Sequence, residues 1–143
     1  MTIRFRPEHL SAIRRHGEAT FPDECCGFLV GHLDGEQKVV SETYPVNNAR
    51  ESEARYNRFL IPPQAVMEAE KYARGKRLHI LGFYHSHPNA EARPSHFDLD
   101  HAWPFYSYVI VSVKNGESRE LNSWRMAEDR SAFQPEAITV QDG

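Results

Sequence analysis

The chain has 143 residues, 40% of them hydrophobic, and a formal net charge of −3; this predicts a single domain with one core and argues against a nucleic-acid binder, which needs a basic surface. No apolar run approaches the ~20 residues that a helix needs to cross a bilayer. The two cysteines, Cys25 and Cys26, are adjacent and build no disulfide framework, so the expectation is one domain over residues 1–143, in the cytoplasm, with no nucleic-acid or membrane partner.

In chain order, the polar amino end, Met1 to Arg6, leads directly into a first helix with Pro7 near its start, Leu10 and Ile13 on one face and Gly17 at its end. A hairpin follows, with Cys26 to His32 extended, a turn at Leu33-Asp34-Gly35-Glu36, and Lys38 to Pro45 extended. Asn47 to Ser52 reads as loop. A second helix starts at Pro62 and Pro63, carries Ala65, Ala69 and Tyr72 on one stripe with Val66 and Ala73 beside them, and stops at Gly75. Leu78 to His87 is the central strand, Ser95 to about Ala102 a short helix, and Tyr106 to Val113 a strand apolar enough to be covered on both faces. Asn115-Gly116 marks a turn and Glu120 to Met126 the next strand; beyond Glu128 no element is assigned. The Cys pair is expected to pack as small apolar residues, at least one of them facing the core.

The most informative segment is His85-Ser86-His87-Pro88, followed after a short spacer by Ser95-His96-Phe97-Asp98. Residues two apart in a strand project to one face, so His85 and His87 can offer ring nitrogens to one ion while Ser86 points away. Ser95-x-x-Asp98 is also a helix-capping box. Capping and ligation need not compete, because a helix start aimed back at the strand lets Ser95 cap while Asp98 supplies a third ligand. Two imidazoles and a carboxylate leave a fourth position open, the arrangement of catalytic zinc. His9, His16 and His32 read as surface residues, His79 lies too far along the strand, and His96 and His101 are not assigned as ligands.

His-x-His-Pro-x6-Ser-x-x-Asp resembles the signature of the JAMM (MPN+) metalloprotease family. Upstream, Pro22-Asp23-Glu24-Cys25-Cys26-Gly27-Phe28-Leu29-Val30-Gly31 resembles that family's glutamate-bearing segment, and in size the chain resembles the short prokaryotic members. The resemblance implies an α/β fold, a curved mixed β-sheet flanked by helices, and one zinc ion held by His85, His87 and Asp98. It implies Glu24 as the base that takes a proton from the attacking water and returns it to the departing amine, and Ser95 as a hydrogen-bond donor to the oxyanion.

The resemblance also implies a substrate class: hydrolysis after the carboxy-terminal Gly-Gly of a ubiquitin-like, sulfur-carrier protein. Glycine lets an extended tail lie close to the metal, and the chain lacks the long insertions by which polyubiquitin-cleaving members grip a second ubiquitin. Asn47, Arg55 and Tyr56 resemble the family's substrate-channel residues. Two alternatives remain on the same residues: a non-catalytic MPN binding module, and a mononuclear iron oxygenase using two histidines and a carboxylate.

Overall fold

The computed structural model describes residues 2–46 and 63–141. Its elements are β1 (Thr2–Phe5), α1 (Pro7–Thr20), β2 (Cys26–Asp34), β3 (Gln37–Val46), α2 (Pro63–Gly75), β4 (His79–Pro88), α3 (His96–His101), β5 (Ser107–Lys114), β6 (Glu117–Met126) and β7 (Phe133–Val140). The expected loop at Asn47 to Ser52, and Asn47, Arg55 and Tyr56 with it, lie outside the described residues. No helix among those described is long and apolar enough to cross a membrane.

The sheet is mixed, with strand order β1-β3-β2-β4-β5-β6-β7, and it curls until β7 pairs in parallel with β1 and closes it. β4 is the fourth of the seven strands in that order, as the sequence predicts. It pairs antiparallel with β2 and parallel with β5. Helix α1 covers the inner face, where Ile13 joins Ile3, Phe5, Leu29, Tyr84, Val109 and Val111 in the main core. Helix α2 covers the outer face, setting Ala69 and Ala73 against Phe28 and Val30. Strand β5 is buried along nearly its whole length, because both of its faces are covered.

Gly17 does not end α1. The helix continues to Thr20, and Gly17 is buried where a Cβ would stand 3.1 Å from Val113 Cγ2 and 3.3 Å from Ser86 Cβ. Its missing side chain serves the close approach of helix to sheet. His9 and His16 also depart from the surface reading. His9 is buried, accepting from the Arg6 N–H through Nδ1 at 3.1 Å, and His16 Nδ1 lies 2.7 Å from the Tyr84 hydroxyl.

Two strands escape the sequence reading. β1 is only four residues long, and β7 turns Glu136 inward where an apolar residue would have marked a core position. That carboxylate belongs to a buried polar cluster inside the closed sheet. Glu136 Oε1 accepts from Ser107 Oγ at 2.6 Å and Ser123 Oγ at 2.8 Å, and Lys38 Nζ lies 3.8 Å from its other oxygen. Lys38 also donates to the Phe105 carbonyl and to Ser107 Oγ. Burial pushes the Lys38 amine down to about 8, against the attraction of Glu136.

Gly82 sits opposite Ser107 in the β4–β5 ladder, where a Cβ would fall 2.0 Å from the Ser107 carbonyl oxygen. Gly82→Ala should therefore cost at least about 3 kcal/mol, read from urea denaturation. A second expectation concerns pH. A lysine whose folded value lies below its unfolded one binds its proton more tightly in the unfolded chain, so stability rises as pH climbs through the folded value. Between pH 8 and 9 the lysine contributes about 1 kcal/mol in this direction, while the buried thiols, raised to about 11 and about 12, ionise in the unfolded chain over the same window and act in the opposite direction. The thiols are common to both proteins, so the wild type should gain about 1 kcal/mol in stability relative to Lys38→Met between pH 8 and 9, read from urea denaturation of the two side by side.

Candidate metal centre

Parallel neighbours cannot be joined by a tight turn, so the chain leaving β4 at Pro88 must cross over before it enters β5 at Ser107. That crossover carries α3 over the carboxyl end of β4. Ser95 is its N-cap: Ser95 Oγ accepts from the Asp98 N–H at 3.1 Å, while Asp98 Oδ2 accepts from the Ser95 N–H at 2.8 Å. The reciprocal cap fixes the carboxylate in front of the histidine strand.

There three donor atoms converge. His85 Nε2 and His87 Nε2 are 3.1 Å apart, and Asp98 brings one oxygen to 3.3 Å from the first and the other to 3.2 Å from the second. Ligands about 2.0–2.1 Å from a tetrahedral zinc stand about 3.3 Å from one another, which is the spacing observed. Among the described residues these three form the one group of histidine, cysteine or acidic side chains able to hold a metal ion together.

The protonation pattern suits a cation. His87 Nδ1 lies 2.9 Å from the Glu91 carbonyl oxygen, which can only accept, so Nδ1 carries the hydrogen and Nε2 keeps its lone pair for a ligand. Burial pushes the His85 imidazole below its ordinary value, against the pull of the Asp98 carboxylate. Burial alone would raise Asp98, but the charge and hydrogen bond of His85, the hydrogen bond of His87 and the Ser95 N–H outweigh it and hold the carboxyl well below the usual carboxylate range. Two imidazole nitrogens and a carboxylate crowded to 3.1–3.3 Å are held together best by a cation among them, and this nitrogen and oxygen donor set fits zinc.

Glu24 comes from a different part of the chain. Strand β2 sets Cys26 opposite His85, and continuing that register two residues toward the amino end sets Glu24 opposite His87. Opposed residues of an antiparallel pair share a face, so Glu24 belongs to the face that carries both histidines, and it is 3% exposed. A carboxylate that deeply buried is not the solvated edge charge its Pro-Asp context would otherwise suggest. Ser86 does point away, and its use becomes visible only here. Its Oγ accepts from the Cys25 N–H at 2.8 Å and its own N–H donates to the Cys25 carbonyl at 3.3 Å. That clamp fastens the residue beside Glu24 to the histidine strand, and no sequence signal beyond strand parity announces it. Both cysteines are free and buried, as expected. Burial raises their thiols to about 11 and about 12, which keeps them protonated and inert.

With this geometry in hand, residues 6–127 match the family described as prokaryotic homologs of the JAB domain, and the chain belongs to that family, a branch of the JAMM (MPN) proteins. It is 36% identical over 110 residues to a desampylase of Haloferax volcanii, covering 75% of each chain. It is 29% identical over 137 residues to the CysO-cysteine peptidase of Mycobacterium tuberculosis, covering 95% of this chain and 90% of that one. The solution structure of protein DSY2949 from Desulfitobacterium hafniense superposes with a TM-score of 0.86 at 28% identity, over 99% of this chain and 94% of the other.

The Ser86 clamp is testable by itself. Ser86→Ala leaves the buried Cys25 N–H without its acceptor and should cost about 1–3 kcal/mol. Hydrogen exchange should accelerate at the Cys25 amide while Leu29, deeper in the same strand, stays protected.

Proposed function

We propose that this protein is a zinc-dependent peptidase that hydrolyses the amide bond following the carboxy-terminal Gly-Gly of a ubiquitin-like, sulfur-carrier protein. The observation that carries the proposal is the convergence of His85 Nε2, His87 Nε2 and the Asp98 carboxylate at 3.1–3.3 Å in a chain of the JAB family. The relatives' names, desampylase and CysO-cysteine peptidase, support hydrolysis and a carrier-type substrate. We assign the whole chain to one catalytic domain. Two free, buried thiols agree with a reducing, cytoplasmic setting.

His85, His87 and Asp98 would hold one Zn²⁺, which when bound lowers the pKa of water to about 7 and polarises a carbonyl. Glu24 takes the proton of the attacking water and returns it to the departing nitrogen, so the C–N bond gives way to a carboxylate and a free amine. Ser95 spends a lone pair on the Asp98 N–H and keeps its own O–H proton, which it donates to the oxygen that gains charge as the carbonyl is attacked. Asn47, Arg55 and Tyr56 are proposed to line the channel of the diglycine tail, which admits no side chain. A non-catalytic binding module has no need of a buried carboxylate beside a complete ligand set, so catalysis is the preferred reading.

Purified protein should bind one zinc per chain, and His87→Ala should lose it while keeping its fold, as measured by elemental analysis with circular dichroism. Full zinc occupancy in that variant would overturn the ligand assignment. Glu24→Gln should retain zinc but cut a carrier–Gly-Gly fusion about 10² to 10⁴ times more slowly, followed by mass spectrometry of the products. Wild-type turnover by Glu24→Gln would end its role as the base.

A further inference from the structure

A cleft of about 440 Å³ shares with the candidate centre Ser95, the residue whose N–H holds the Asp98 carboxylate. Leu99, Trp124, Ala132 and Phe133 give the cleft apolar walls, and Arg93 and His96 also line it. Its walls are fixed from several directions. Trp124 donates its indole N–H to the Ala92 carbonyl at 3.0 Å, which locks the ring against the loop leading to Ser95. Phe133 packs edge-on against Tyr108 with ring centroids 5.8 Å apart. The turn between β6 and β7 is closed by the Ala127 N–H donating to the Ala132 carbonyl at 3.0 Å. Leu99 is tied to the cap by its N–H donating to the Ser95 carbonyl at 3.0 Å.

We propose that this cleft is the subsite for the residue on the amine side of the scissile bond, and that it selects an apolar side chain there. The inference rests on the Gly-Gly-directed peptidase reading and goes beyond it. On the acyl side the two residues nearest the scissile bond are glycines, which have no side chain to bury, so a cleft that reaches Ser95 meets its first side chain from the amine side. The residue whose α-amine departs does carry one. Leucine or phenylalanine at that position would meet Leu99, Trp124 and Phe133, burying apolar surface against walls already in place. The favoured substrate is then a linear carboxy-terminal extension that begins with an apolar residue. Apolar pockets discriminate between side chains by roughly tenfold to a few hundredfold, and the lower end suits a cleft open to solvent.

The test uses zinc-loaded protein and carrier–Gly-Gly-X fusions with X as Leu, Phe, Gly or Asp. In the wild type, kcat/KM for Leu and Phe should exceed that for Gly and Asp by roughly tenfold or more. Ala132 is exposed, so Ala132→Phe can fill the cleft without repacking the core. It should erase the preference, so that within this variant kcat/KM for Leu and Phe falls to its own value for Gly, and the smaller filler Ala132→Leu should show an intermediate preference. Equal cleavage of all four fusions by the wild type, or an apolar preference that survives in Ala132→Phe, would overturn the subsite and leave the peptidase reading standing. No cleavage of any fusion would overturn the Gly-Gly reading and the subsite with it.

Discussion

The parallel pairing of β4 with β5 is the constraint on which the site depends. An antiparallel neighbour would have returned through a few residues and left nothing above the histidines. Parallel pairing demands a long return, and the return must begin where β4 ends. The helix in that return has only six residues, and its position comes from its cap more than from its own packing. The bond pair between Ser95 and Asp98 therefore does two jobs with the same atoms, starting a helix and orienting a carboxylate. Pre-orientation of this kind removes the freedom that a ligand on a mobile loop would lose on binding its ion.

Glu24 arrives by the opposite route, along the antiparallel neighbour of β4. Register alone sets it beside His87, and the Ser86 clamp guards that register at the strand end, where fraying would be easiest. The two faces of β4 thus divide the labour. Odd-numbered residues His85 and His87 face the candidate metal centre, while Tyr84 and Ser86 face α1 and the inner core. The central strand can be rigid because Gly82 and Gly17 let β5 and α1 come close to it.

Much of this arrangement was legible from residue types. Strand parity pairs His85 with His87, and Ser-x-x-Asp announces a cap, because both rules act within a few residues. Glu24 is sixty residues away from the histidines, and no local rule joins them; only resemblance to a known family did so. The clear elements, α2 and β5, are those in which apolar residues mark the buried face. The missed ones break that rule. β1 is too short to show a period, and β7 and Lys38 put charges inside the sheet, where they are satisfied by one another and by Ser107 and Ser123. His9 and His16 looked like surface residues because their partners, the Ser41 carbonyl and the Tyr84 hydroxyl, lie far along the chain.

Closure of the sheet has a consequence for how the molecule is made. Thr2 pairs with Ala137 and Phe5 with Val140, so β1, which has β3 on its other side, gains its second neighbour only when β7 has been made. The segment bearing Glu24, both histidines, Ser95 and Asp98 is synthesised entirely between those two. Contacts so distant in sequence form slowly, so a nascent chain assembles its β2-β4-β5 centre first and is sealed only when β7 emerges. Until then the outer sides of β1 and β6 are exposed strand edges, the period in which the growing chain is most open to pairing with the wrong neighbour.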